Sequence, residues 1–229
     1  MTYGYRLLVA DGPFASLDPG ARAELHDLGT VRRYRKGAYL ILEGDRSDHA
    51  LFIRSGRLKI VRTSSDGREV VVAVRGAGQL VGALSALAGT DAPRTGSVVA
   101  LDDVVVQTIP AAQLLPFVER HPAVSFGLLR LLAARVREST ARHADAAGYD
   151  VLHRVARALI DEADRAGRAG DDVTVVGAGL SQAELAGLVS ASPKSVGRSL
   201  AVLRSRGLLS TGRRSIVIRD IDGLRRFAR

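Results

Sequence analysis

The sequence predicts an α+β protein with a β-rich N-terminal half, a long central helix and a C-terminal winged helix-turn-helix. Three observations carry that expectation. Between residues 31 and 109, short β-branched runs alternate with Gly and Asp turns, the texture of a compact sandwich or roll. From Pro122 to Ala147 there is no further proline and one glycine, Gly127, so a helix of about 25 residues fits there. Near the C-terminus, two segments with helix-capping residues flank a short turn and precede a hairpin pattern with a basic tip.

Taken in order, Asp18-Pro19 starts a short helix over residues 17–28, with Asp as N-cap and Pro at the first helical position. Apolar runs such as Leu51-Phe52-Ile53, Val70-Val71-Val72 and Val104-Val105-Val106 follow, punctuated by Glu43-Gly44-Asp45, Ser55-Gly56 and Asp66-Gly67. Pro110 opens a helical stretch to Glu119, and Pro122 restarts it. Val124, Leu128, Leu131, Leu132 and Val136 recur at helical spacing, which suits a dimer seam or packing on the β-domain; different faces can serve both. Gly148 marks a break, residues 151–166 read as an amphipathic helix, and 167–179 as a polar connection with a short strand at 173–176. The expected organisation is a β-domain over 1–121, a dimerisation helix over 122–147 and a C-terminal domain over 148–229.

The strongest local signal begins at Leu180. Ser181 and Glu184 have the spacing of a capping box. Leu185 and Leu188 are expected to face a core, with a turn at 189–191. Ser192 is then an N-cap with Pro193 at the first position of a second helix. Val196, Leu200 and Leu203 form its buried stripe, leaving Lys194, Ser195, Gly197 and Arg198 on the exposed face near its start. In a helix-turn-helix, residues there reach base edges in the major groove. Residues 208–218 read as a two-stranded wing whose tip, Arg213-Arg214, suits backbone phosphates.

Charge points the same way. The net charge is +9. From Leu180 onward ten bases oppose three acids, so +7 of the +9 lies in the last 50 residues. A basic block within an apolar-patterned segment fits a polyanion partner, and a solvated surface is the plainer alternative. The chain has no cysteine, which excludes disulfides, thiolate nucleophiles and cysteine-ligated clusters. No apolar run approaches membrane-spanning length, and the N-terminus lacks a signal-peptide pattern, so a cytoplasmic protein with no membrane partner is expected.

These residues resemble the cyclic-AMP receptor protein / fumarate–nitrate regulator (CRP/FNR) family of bacterial transcription factors, from roughly Pro13 to Arg226. The matching β-domain pattern is Lys36-Gly37-Ala38-Tyr39-Leu40, Glu43-Gly44-Asp45 and Leu51-Phe52-Ile53-Arg54-Ser55-Gly56-Arg57-Leu58-Lys59-Ile60, with glycines at corners where φ > 0 is needed. Gly76 to Gly82 and Pro93-Arg94-Thr95 look like the family's phosphate-binding cassette. The resemblance implies an effector-sensing, cyclic-nucleotide-binding-like β-roll, with a cyclic nucleotide or related effector contacted by Gly82, Ala83, Leu84, Arg94 and Thr95. Ser139 and Thr140 stand where family members place hydroxyls for the base. Double-stranded DNA, a second copy of the chain and RNA polymerase are the implied partners. The implied DNA-reading set is Ser192, Pro193, Lys194, Ser195, Gly197 and Arg198, with Arg213 and Arg214 on the wing.

Departures from the family pattern shape the expectation. Ala83 stands where cyclic-AMP binders carry a Glu that accepts from the ribose hydroxyl. A methyl cannot accept, and the lost partner costs roughly 1–3 kcal/mol. The site then takes another nucleotide, takes a different ligand, or is vestigial. Pro193 and Lys194 replace the usual Arg and Glu readers, so the operator should differ; Lys194 contacts a base acceptor or a phosphate. Ser190 replaces a common turn glycine and predicts a strained turn. His26, His49, His121, His143 and His153 form no recognisable pair for haem. The functions to weigh are an effector-modulated homodimeric regulator, a constitutive DNA binder with an empty pocket, and an enzyme. The last has no support, because neither His-Glu-x-x-His nor Gly-x-Ser-x-Gly is present and Gly76 to Gly82 misses the dinucleotide fingerprint.

Overall fold

The computed structural model describes residues 12–14, 16–64, 67, 69–88, 93–166, 174–176, 181–212 and 215–228, without the side chains of 87, 88, 141–147, 165, 166 and 174–176. The chain divides into two compact units, Met1–Arg137 and Glu138–Arg229.

The first unit opens with α1 (Pro19–Asp27), capped by Asp18, whose Oδ1 accepts from the Ala21 N–H at 2.9 Å. Strands follow: β1 (Thr30–Tyr34), β2 (Tyr39–Ile41), β3 (His49–Ser55), β4 (Leu58–Thr63), β5 (Glu69–Arg75) and β6 (Leu80–Val81). After α2 (Ala83–Ala88) come β7 (Ser97–Ala100), β8 (Val104–Pro110) and α3 (Ala111–Arg120). They form two antiparallel four-stranded sheets, ordered β1-β8-β3-β6 and β2-β7-β4-β5. This is the sandwich-like roll the alternating runs predict. Gly37, Gly44 and Gly56 all take positive φ at its corners, a conformation only glycine adopts without steric penalty.

Strand β3 shows why the apolar runs are continuous rather than alternating. Leu51 and Ile53 face the other sheet, among Ile41, Leu58, Val98 and Val106. Ala50 and Phe52 face the opposite way, into a core with Phe14, Leu25, Leu114 and Phe117. The strand's period of two thus feeds two cores, and both of its faces must be apolar. Phe14 packs edge-on against Phe52 with ring centroids 5.2 Å apart, a favoured aromatic geometry.

One polar side chain crosses this helix-covered face. Gln107 of β8 is fully buried. Its Nε2 donates to the carbonyls of Leu25 (2.7 Å) and Leu28 (2.5 Å), and its Oε1 accepts from Arg54 Nε at 3.0 Å. It therefore adds a donor to carbonyls at the C-terminus of α1, where the Leu25 carbonyl also accepts from the Leu28 N–H at 3.3 Å.

The long helix α4 (Pro122–Gly148) begins on this unit. Val124 and Leu128 are buried in the core with Phe14 and Phe117, and Leu131 packs partly against it. Val136, expected on the same stripe, is instead 65% exposed, as are Phe126 (66%) and Leu129 (62%). The apolar positions therefore split between two faces. Drift of the 3.6-residue period carries Val136 off the buried stripe.

The second unit holds α5 (Val151–Ala166), β9 (Thr174–Val176), α6 (Gln182–Leu188), α7 (Pro193–Ser205), β10 (Leu209–Gly212), β11 (Ser215–Ile218) and α8 (Ile221–Phe227). Its three-stranded sheet runs β10-β11-β9. Val155 and Leu159 of α5 share one core with Leu185, Val196, Leu200, Leu203, Ile218 and Leu224. Leu188 is only half-buried, because α6 ends there. No helix is long and apolar enough to cross a membrane among the described residues.

Gly127 brings α4 close against the backbone of Pro13. An added Cβ would lie 2.1 Å from the Pro13 carbonyl oxygen. Alanine gains about 1 kcal/mol of helix propensity, but overpacking against backbone costs about 1–3 kcal/mol. Gly127→Ala should therefore lose up to about 2 kcal/mol of stability in urea denaturation; a gain would show that the Pro13 segment yields freely.

Candidate nucleic-acid interface and effector cavity

The start of α7 is set by caps on both helices of the motif. Ser181 Oγ accepts from the Glu184 N–H at 3.1 Å, and Glu184 Oε2 accepts from the Ser181 N–H at 2.7 Å. Ser192 Oγ accepts from the Ser195 N–H at 3.2 Å, with Pro193 at the first helical position. Between them Ser190 takes φ 51°, the one positive-φ residue other than glycine among the described residues. A turn that narrow has to be held. Arg154 of α5 does so, donating from Nε to the Val189 carbonyl at 3.0 Å and from Nη2 to the Ser190 carbonyl at 3.2 Å.

With Val196, Leu200 and Leu203 buried, α7 leaves Ser192, Pro193, Lys194 and Arg198 exposed. Ser195 and Gly197 are half-buried rather than fully presented. The Ser195 hydroxyl turns into the helix start, accepting from Ser192 Oγ at 2.9 Å and Arg198 Nη2 at 3.5 Å. Gly197 lies against Gln182, whose Oε1 would be 3.2 Å from an added Cβ. Helix α7 contains no acidic residue, so its exposed charges, Lys194, Arg198 and Arg204, are all hydrogen-bond donors.

The wing pairs Leu209 with Ile218 and Gly212 with Ser215. Arg213 and Arg214, predicted at its tip, lie outside the described residues. Part of the C-terminal charge block is internally matched. Arg225 Nη2 pairs with Asp164 Oδ1 at 2.6 Å, Arg226 with Asp220 at 3.8 Å, and the Arg206 guanidinium stands 4.7 Å over the Phe227 ring. The raw count of bases therefore overstates the charge offered to a partner.

The second candidate site is a cavity of about 180 Å³ in the β-domain, with Gly82, Leu84, Ser85, Arg94 and Thr95 in its wall. Arg94 is 4% exposed. Its Nε donates to Ser47 Oγ at 2.8 Å, Nη1 to the Gly82 carbonyl at 3.0 Å and Nη2 to the His49 carbonyl at 2.5 Å. No carboxylate forms an ion pair with it among the described residues. Burial pulls its pKa below the ordinary guanidinium value, against the attraction of Asp48 and Asp45. Burial likewise lowers the pKa of neighbouring His49, helped by the Arg94 charge. Gly82 has φ 76°, and a Cβ there would lie 2.8 Å from Arg94 Nη1. The cassette glycine thus serves both the turn and the seat of the guanidinium.

Of the sequence-predicted effector residues, Gly82, Leu84, Arg94 and Thr95 line the cavity together. Ala83 is fully buried in the core under α1 and α3 and offers the cavity no acceptor. Ser139 and Thr140 fall on α4 within the second compact unit. Sequence reasoning missed Ser85, Arg75 and Arg135, which also line the cavity. Only an explicit placement of β5 and α4 against the cassette could have found the two arginines.

Comparison with known proteins places both regions. Residues 31–121 match the family model described as "Cyclic nucleotide-binding domain", and residues 153–227 match "Crp-like helix-turn-helix domain". The chain is 32% identical over 223 residues to the CRP-like cAMP-activated global transcriptional regulator of Mycobacterium tuberculosis, covering 97% of this chain and 99% of that protein. Among solved structures it resembles the catabolite activator protein of Thermus thermophilus, with a TM-score of 0.54, 27% identity and coverage of 94% and 97%. The c-di-GMP responsive global regulator CLP of Xanthomonas campestris shares the fold, with a TM-score of 0.75, 24% identity and coverage of 88% and 99%.

The Arg154 clamp gives a test in two directions. Arg154→Ala removes charge-assisted bonds to two turn carbonyls and should destabilise the C-terminal unit by about 1–3 kcal/mol. Ser190→Gly relieves a left-handed residue worth roughly 1–2 kcal/mol at an entropic cost of about 0.5–1 kcal/mol, so a small gain is expected. Both are read by chemical denaturation, and a loss on Ser190→Gly would show that the turn is not strained.

Proposed function

The chain belongs to the CRP/FNR family of transcription regulators, and from that premise we propose a homodimeric, cytoplasmic DNA-binding regulator whose DNA affinity is modulated by a nucleotide-like effector. The observation that carries the DNA-reading part is α7, capped by Ser192, which presents Lys194 and Arg198 with no acid on the helix. Arg198 donates to guanine O6 and N7. Lys194 donates to a base acceptor or a phosphate, and Ser192, Pro193, Ser195 and Gly197 set the distance of approach. Arg213 and Arg214 hold backbone phosphates.

Residues 122–147 form the dimer seam in this reading, through Phe126, Leu129 and Val136. These large apolar side chains at helical spacing are costly to leave in water. Two copies then place two recognition helices about 34 Å apart, in successive major grooves. RNA polymerase is the further partner such a regulator requires. The effector occupies the β-domain cavity, with Arg94 and Thr95 at its anionic end, next to Gly82 and Leu84. Ala83 argues against a ribose-hydroxyl contact of the usual kind. The buried guanidinium favours an occupied over a vestigial site, because a buried cation without an ionic partner is costly.

In vitro selection of bound duplexes tests the DNA face. Arg198→Ala should cost about 1–3 kcal/mol and relax specificity at one base position. Arg213→Ala or Arg214→Ala should weaken all sequences alike and flatten the salt dependence. Equal loss on every sequence for Arg198→Ala would refute its base-reading role.

A further inference from the structure

The wall of the β-domain cavity carries three guanidiniums, Arg75, Arg94 and Arg135, and no carboxylate among its described residues. Asp45 and Asp48 act on Arg94 through space but do not line the cavity. Arg75 Nη1 donates to the Val74 carbonyl at 2.9 Å and Arg135 Nη2 to the Leu80 carbonyl, which ties both side chains to adjoining backbone. The three hydrogen-bond partners of Arg94 are neutral oxygens. A fourth donor lies in the same wall. Ser85 is 8% exposed, and its hydroxyl makes no hydrogen bond within the protein among the described residues. A hydroxyl so placed donates to whatever fills the space.

We propose that this cavity selects a phosphomonoester dianion, such as a nucleoside with an open terminal phosphate, over a cyclic phosphodiester. The inference rests on the effector-site reading above and deepens it. A cyclic phosphodiester carries one negative charge and two unesterified oxygens. A monoester carries about −1.5 to −2 at neutral pH and three terminal oxygens. Guanidinium forks match phosphate oxygens in pairs, so three arginines and a hydroxyl answer the second charge and the third oxygen. Ala83, buried in the core, offers no acceptor to a ribose hydroxyl of either ligand, so it does not favour one over the other. Recognition then rests on the anionic end of the ligand.

Calorimetry on the full chain distinguishes the two, with adenosine monophosphate, cyclic AMP and inorganic phosphate as probes. The pH is held well above the second phosphate ionisation, roughly 6. The open monophosphate should bind about tenfold or more tightly than the cyclic one, roughly 1.4 kcal/mol, with inorganic phosphate competing. Arg75→Gln should bring the ratio close to unity. Cyclic AMP binding as tightly as the open form, or a ratio that survives Arg75→Gln, overturns the proposal and leaves the effector-site reading standing. The wild-type ratio decides alone if the variant does not fold. Saturable binding by none of the three probes overturns both.

Discussion

A guanidinium sealed inside the β-domain is the constraint around which its functional corner is arranged. Arg94 reaches across from the segment before β7 to Ser47 in the β2–β3 loop, to the carbonyl of His49 at the start of β3, and to the carbonyl of Gly82. Three neutral acceptors keep it hydrogen-bonded, yet none cancels its charge. In a low-dielectric setting that charge remains available to an anion. The seat exists because Gly82 has no Cβ and accepts φ 76°. A backbone requirement, a packing requirement and an electrostatic one therefore meet at a single glycine.

The C-terminal unit solves a different problem, which is to hold a short turn rigid enough to aim a helix. Two N-caps define where α6 and α7 begin. The chain between them passes through a left-handed serine, and Arg154 bonds the carbonyls on either side of the bend. The aim of Lys194 and Arg198 is thereby inherited from α5. Bases that seem redundant in the sequence are partly spent on this scaffold, as Arg225 is on Asp164 and Arg206 on Phe227.

Much of this was legible before any coordinates. Ser181, Glu184, Ser192 and Pro193 announce their helices because caps act within four residues. The corner glycines announce the roll because positive φ is a local demand. What was not legible depends on residues far apart in the chain. Nothing local indicates that Gln107 satisfies carbonyls some 80 positions earlier, or that Arg75 and Arg135 converge on the cassette. The helix stripe failed at Val136 for a local reason: the 3.6-residue period turns it away from the face that Val124 and Leu128 bury. Ser195 is half-buried because its hydroxyl also serves the helix start, accepting from Ser192 Oγ.

If the β-domain cavity governs the recognition helix, ligand and operator must influence each other's affinity by the same factor. The direct measurement is the dissociation constant of the cavity ligand with and without saturating selected duplex, set beside that of the duplex with and without ligand. The account predicts two equal ratios that differ from one by about 5-fold or more. Two ratios of one, with both ligands bound, would contradict it, because cavity and helix would then belong to the same molecule without acting on each other.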